Sequence, residues 1–396
     1  MKNWLILMLL ISFGSIGAVC YTPGLPEIAT FFGVNNSSAQ LTVTLYLVGY
    51  AIGQLFYGPL AHSLGSNKTI IIGAMIEIMG AFLCAISGPL HSFNLLIGAR
   101  VIMALGAASG LKMTFTLAAN LYSKEATARV IGLLTLAFAV TPGIGVLIGG
   151  ILVNHFGWTS TFYLMVVYGL AIILLSFRLP ELYPKEDRHP LRLGLLMVNY
   201  VKQFTNIQII AGGLLVGLGS CVVYVFAAFS PFIAMETMGL SPDSYGIYNF
   251  IPSFGILIGS LTSNYYSKFW QPEKSLKFGL IISGLGTVSL FLTLIFWSSP
   301  LGLFMPMIII YGGLSFIFGN SAALALHNAT DKSNGSAVMS FINMGSACVL
   351  VLILGKVHLS HAITLPIIYA IMIIMGGIWY KLIIYSHTPN YSLKDK

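Results

Sequence analysis

Three charged side chains stand inside long apolar runs of this chain: Glu77, Arg100 and Lys112. A charge in the middle of a bilayer costs roughly 3 kcal/mol or more, so such residues are retained for binding, for proton transfer or to hold structure together. Glu77 lies about eight residues, ~12 Å at the helical rise, into its run, and Lys112 lies a similar depth from the same side in the next. Two readings are open for them. They meet as an ion pair, or Lys112 snorkels to the polar end while Glu77 packs protonated against a neighbouring helix. Arg100 falls nearer the other side, on a helix face shared with Ala104, Ala107, Ala108 and Leu111. That face is small enough to border a cavity, in which Arg100 meets a solute; alternatively Arg100 hydrogen-bonds backbone carbonyls at a helix break.

Other chemistry finds little support. The remaining acids, among them Glu27, Glu125, Glu236 and Asp331, lie in loops, at run ends or in the tail. His62, His91, His155, His189, His327, His358, His361 and His387 lie in loops or near run ends, where solvated or interfacial histidine is the ordinary case. Cys20, Cys84, Cys221 and Cys348 are far apart in apolar runs and read as small buried hydrophobes, without disulfide or metal. There is no phosphate loop, no nucleophile constellation and no metal-ligand cluster, so neither an enzyme nor an ATP-driven pump is expected, nor a bound cofactor.

The elements that position these residues are membrane helices. Of 396 residues, 57% are hydrophobic and 8% charged, with most charge confined to short gaps. A helical span needs about 20 mostly apolar residues, because unpaired amides are not tolerated in hydrocarbon. The runs fall at 4–22, 41–60, 69–88, 95–119, 129–152 and 159–178, then at 207–232, 244–263, 276–297, 302–323, 335–355 and 363–385. With the N-terminus inside, every Lys and Arg except Arg100, Lys112 and Lys356 falls on the cytoplasmic side. This is the positive-inside pattern, with both termini cytoplasmic. The net charge of +8 is therefore a set of scattered topological anchors and not a nucleic-acid surface. The first run reads as helix 1 and not as a cleaved signal, because eleven further spans follow it.

Proline and charge cluster between Arg178 and Lys202, which marks a linker. The expected division is residues 1–178 as an N-terminal six-helix half, 179–206 as a cytoplasmic linker, and 207–396 as a C-terminal half with a short tail. Two related halves suit a rocking transporter with its site between them. Aromatic residues such as Tyr46, Tyr50, Tyr224 and Tyr311 read mainly as packing and interface belt, some of them lining the cavity.

The stretch from Gln40 to Leu60, with Tyr46-Leu47-Val48-Gly49-Tyr50 and Gly53-Gln54-Leu55-Phe56-Tyr57-Gly58-Pro59-Leu60, resembles the helix 2 signature of the Bcr/CflA branch of the major facilitator superfamily, bacterial drug:proton antiporters. Pro23, Leu25-Pro26, Arg100, Gly106-Ala107-Ala108 and Phe156-Gly157-Trp158 extend the resemblance through the first half, and the second half agrees mainly by topology. The resemblance implies an all-α fold of twelve transmembrane helices, and a role for Arg100 in substrate or proton coupling. It also identifies two conformational motifs: the loop containing Gly58, His62, Gly65 and Lys68, and the helix 5 segment with Pro142, Gly143, Gly145, Gly149 and Gly150. Pro142 removes a helical hydrogen bond, and the glycines allow close backbone approach.

The departures carry information. In the loop motif the family's acid is His62 and a single cation, Lys68, remains, so the charge lock is weaker or built differently. The helix 1 aspartate of the branch falls on Val19, and the family's second helix 5 proline on Val146. The expectation is a monomeric multi-pass transporter of the bacterial inner membrane that exports a small organic solute on the proton gradient, with Glu77 as proton carrier. A transporter of an anionic metabolite such as a carboxylate-type siderophore is the alternative, favoured by Arg100 and Lys112 as cations of the cavity. A non-transporting scaffold or sensor is a lesser one.

Overall fold

The computed structural model describes residues 3–122, 124–188, 190, 193–327, 332–355 and 362–387. Lys2, His189, Arg192, Asp331, Lys356, His358, His361, Lys394, Asp395 and Lys396 lie outside the described residues. The first group of helices is α1 (Trp4–Val19), α2 (Leu25–Phe32), α3 (Asn36–Leu64), α4 (Ser66–Ser87), α5 (Phe93–Leu121), α6 (Lys124–Phe156) and α7 (Thr159–Ser176). A short α8 (Leu193–Phe204) follows. The second group is α9 (Ile207–Pro231), α10 (Pro242–Tyr266), α11 (Pro272–Phe296), α12 (Pro300–His327), α13 (Lys332–Gly355) and α14 (Thr364–His387).

Ten helical segments are long and apolar enough to cross a membrane, counting α1 with α2 as one and α9 with the π turn after it as another. Among the described residues of α6 the apolar stretch is Val140–Phe156. Helix α10 is long enough but too polar along its length, and the position of its polar groups explains why.

Local chemistry sets the ends. Asn35 Oδ1 accepts from Ser38 N at 2.7 Å and Asn206 Oδ1 from Gln208 N at 2.9 Å, so α3 and α9 begin where an amide side chain satisfies a free backbone N–H. Pro242 and Pro272 occupy the first turns of α10 and α11, where a missing N–H costs nothing. Gly33 ends α2 in the left-handed region at φ 62°.

Within the first group α5 packs against α1, α3 and α4, and within the second α12 packs against α9, α10 and α11. The two groups meet chiefly where α6 lies on α10 and α3 on α13. These contacts run from the middle of the bundle, where Gly143 faces Ser253, to the end away from the linker. There Gly150 faces Pro242 and Gly246, Cys348 Sγ lies 3.7 Å from Thr44 O, and Asn36 Nδ2 donates to Glu236 Oε2 at 2.9 Å. At the linker end α8 stands between α3 and α13: Tyr200 Oη donates to Leu55 O at 2.7 Å, and the Phe204 ring meets Phe341 edge-on at 5.7 Å.

Candidate substrate cavity and buried charges

A cavity of about 970 Å³ lies between the two helix groups. The first group contributes Ser15 and Val19 of α1 and Leu133, Leu136, Pro142, Gly143 and Val146 of α6. The second contributes Tyr224 and Phe226 of α9, Tyr311 and Phe318 of α12, Met344 of α13 and a long run of α10. The lining descends to Ser267, one residue past the end of α10, where Asn264 and Ser267 are exposed. Antiparallel alternation places that end beside the linker, so the cavity opens there. Among the described lining residues none carries a charged side chain, and Glu77, Arg100 and Lys112 are not part of the wall.

Arg100 is fully buried and serves a different geometry. Helix α1 stops at Val19 and passes through a 3-10 turn, Thr22–Gly24, which leaves carbonyls near its end without helical partners. Arg100 Nη1 donates to Gly17 O at 2.8 Å and Nη2 to Ala18 O at 3.1 Å, while Nε donates to Thr42 O of α3 at 3.1 Å. Tyr21 and Tyr46 sandwich the guanidinium, each ring centroid 4.1 Å from Cζ. A cation at the C-terminal end of a helix is favourable, and three charge-assisted hydrogen bonds occupy the donors a solute would need. Of the two readings open for Arg100, this geometry is that of the helix break, and the anion-attracting cavity wall expected from it is not found.

Glu77 is also fully buried, and neither of its carboxylate oxygens has a hydrogen-bond partner. It sits where α4 meets α5 and α7: a Cβ on Gly106 would strike its backbone, and one on Gly169 would lie 2.9 Å from Oε2. Glu77 and Lys112 form no ion pair; among the described residues the ion pair seen joins Arg188 to Glu181. The Lys112 chain instead lies over Gly58, where a Cβ would come 3.0 Å from its Cε, near the linker end of α3. Of the two readings open for this pair, the ion pair is therefore not found.

The linker packs onto the loop between α3 and α4. Glu181 accepts from Ser66 N at 2.6 Å, Ser66 Oγ at 2.8 Å, Asn67 N at 3.3 Å and Tyr183 N at 3.1 Å, capping the N-terminus of α4. Arg188 Nη2 lies 3.7 Å from the same carboxylate. Partial burial works against ionisation of Glu181, but the donors from Tyr183, Ser66 and Asn67 outweigh it and hold the carboxyl below the usual range. Gly65, at φ 96°, is the position over which this strap closes: a Cβ there would sit 2.5 Å from Arg188 Nη2 and 2.7 Å from Glu181 Oε2. His62 takes no acidic role; its ring packs 4.2 Å from that of Tyr183, with Nε2 3.3 Å from the phenol oxygen. Lys68 is exposed.

The α6 glycines divide between two faces. Gly145 lies against Ile16 and Gly149 against the Cys20 carbonyl, both in the α1 segment, whereas Gly143 faces Ser253 and Gly150 faces Pro242 O and Gly246 of α10. One helix thus seats on its own group and closes against the other. Pro142 and Gly143 also border the cavity.

Two features escape the sequence reading. One is Glu181, taken as an ordinary linker charge. The other is α10, read as a plain apolar span although Asn249, Ser253, Ser260, Asn264 and Ser267 recur at helical spacing.

A membrane-helix bundle in two groups around a central cavity defines a polytopic transporter class. The chain belongs to the Major Facilitator Superfamily, whose model matches residues 5–355. It is similar to the bicyclomycin resistance protein homolog of Haemophilus influenzae, 26% identical over 291 residues, 72% of each chain. It is also similar to the multidrug resistance protein MdtL of a Shewanella species, 23% identical over 357 residues, 90% of this chain and 88% of that one. These names agree with the resemblance to the drug-resistance branch. Among solved structures, a D-xylose-proton symporter superposes with a TM-score of 0.78 at 14% identity, covering 95% of this chain and 96% of that one. The inward-open xylose transporter XylE of E. coli gives 0.76 at 12%, covering 99% and 97%. At such identities the structures show the fold alone.

Proposed function

We propose that this chain is a proton-driven exporter of small organic solutes in the bacterial inner membrane, working by alternating access. In this reading twelve spans form two six-helix halves, 1–178 and 207–396, joined by the linker 179–206, with both termini and the linker in the cytoplasm. The carrying observation is the cavity between the helix groups, open at the linker end and closed at the other where α6 meets α10 and α3 meets α13. Rocking the halves about that cavity exposes it to each side in turn.

Glu77 is the proton carrier in this scheme. It is the acid at mid-span, and no hydrogen-bond partner inside the protein commits its oxygens. The multidrug-resistance names of relatives support export, and the charge-free described wall favours it over uptake or export of a carboxylate-type siderophore. The test is a solute screen in a strain lacking its own exporters, followed by accumulation in respiring everted vesicles. Accumulation that a protonophore abolishes is expected; accumulation indifferent to the protonophore refutes proton drive.

A further inference from the structure

We infer that the solute held in this cavity is electrically neutral and amphipathic, with a row of hydroxyl or amide groups that α10 reads. The inference rests on the transport reading above and specifies its substrate class. Asn249, Ser253, Ser260, Ser263, Asn264 and Ser267 all line the cavity. At 1.5 Å per residue they form a stripe ~27 Å long on one face of the helix. This stripe is why α10 fails the apolarity of its neighbours: its polar groups face the cavity.

Among the described residues, the side-chain hydrogen bonds seen along this part of α10 are made by Thr262 and Ser267, and none by Asn249, Ser253, Ser260, Ser263 or Asn264. Serine in a helix commonly returns its hydroxyl to a carbonyl one turn back, as Thr262 does to Ile258 O at 2.6 Å. These hydroxyls do not, and an unmet polar group in a membrane interior is costly unless water or a ligand satisfies it. Hydroxyl and carboxamide groups both donate and accept, so the stripe pairs equally well with alcohols and amides.

The facing surface is mostly apolar, with Leu133, Leu136 and Val146 on α6, Val223 on α9, and Leu314 and Phe318 on α12, and of its polar members Ser15, Ser315 and Asn320 turn their donors back to carbonyls of their own helices. A carboxylate or ammonium entering this space gives up hydration and meets no counter-charge among the described wall residues, since the donors of Arg100 are engaged with carbonyls and rings. A neutral molecule with one polar edge and one apolar face loses nothing comparable. The volume of about 970 Å³ suits a drug-sized molecule of that kind.

The test measures binding to the purified full-length protein by fluorescence anisotropy, with three probes on one coumarin scaffold. They are the neutral N-(2,3-dihydroxypropyl) amide, the free 3-carboxylate and a trimethylammonioethyl amide. The neutral probe is expected to bind about tenfold or more tighter than either charged one. The isosteric Asn249→Asp variant should weaken the neutral probe and bring the quaternary ammonium probe to equal or better affinity. Asn264→Leu, at the exposed mouth, should weaken the neutral probe without lowering the unfolding temperature. Equal or tighter binding of a charged probe by the wild type, binding of no probe, or unchanged neutral-probe binding in both variants would each overturn the inference. Neutral-selective binding without gradient-driven accumulation would uphold it and count against proton-driven export instead.

Discussion

Arg100 shows how a membrane-buried charge is satisfied without a solute. Its three backbone hydrogen bonds tie the broken end of α1 to α3, and two tyrosine faces cover the guanidinium. Arg100→Ala leaves several carbonyls unmet in a buried site, so a loss of about 3 kcal/mol or more is expected, read as lower unfolding temperature and yield. Arg100→Lys keeps the charge but not the planar fork and should fall between. Arg178→Ala, at an exposed site, should change stability by no more than about 0.5 kcal/mol. Full stability of Arg100→Ala would contradict the capping role. At this scale the sequence was partly legible. The burial of Glu77, Arg100 and Lys112 follows from their places in apolar runs, but whether Arg100 meets a solute or a carbonyl depends on a helix break that local composition does not locate. The depth match that suggested a Glu77–Lys112 pair ignored which way each side chain leaves its helix.

At the scale of elements, α6 and α10 close the end away from the linker because small residues let their backbones touch. A Cβ at Gly150 meets the Pro242 carbonyl, so Gly150→Ala should force the helices apart. The check is disulfide formation between Asn36→Cys and Glu236→Cys, which a hydrogen bond joins across the same closure. Cross-linking should fall severalfold on introducing Gly150→Ala, and an unchanged rate would show that the contact does not govern closure.

The strap at the other end makes a pH prediction. Because the folded-state pKa of Glu181 is depressed, its contribution is complete above the ordinary glutamate range and is lost as pH falls through the lowered value. Linker protection in hydrogen exchange should therefore persist at neutral pH and weaken only under acid conditions below about 4.5, the ordinary value. In Glu181→Gln the acid dependence should disappear, with the linker loosened at every pH. Of these elements the helix 5 glycines were legible as a close-packing signal, and the loop motif was legible in what it lacks. The carboxylate of Glu181 at this loop was not, since it and Ser66 are separated by more than a hundred residues.

For the whole molecule, the apolar runs foretold the long helices, because spanning a bilayer leaves few alternatives to a helix of that length. Their ends extend beyond the runs by several residues where polar caps and prolines continue the helix outside hydrocarbon, as at Asn35 and Pro242. The short α2 and α8 were not foreseen; each is too brief to span and lies among loop-like residues. The account's central claim is that solute leaves in exchange for protons that pass through Glu77. The most direct measurement follows the pH gradient of respiring everted vesicles with an acid-sensing dye while the neutral dihydroxypropyl probe is added. The account predicts partial collapse of the gradient with wild-type protein and none with Glu77→Gln. Collapse of equal size in Glu77→Gln, or probe accumulation in wild type with the gradient untouched, would contradict it.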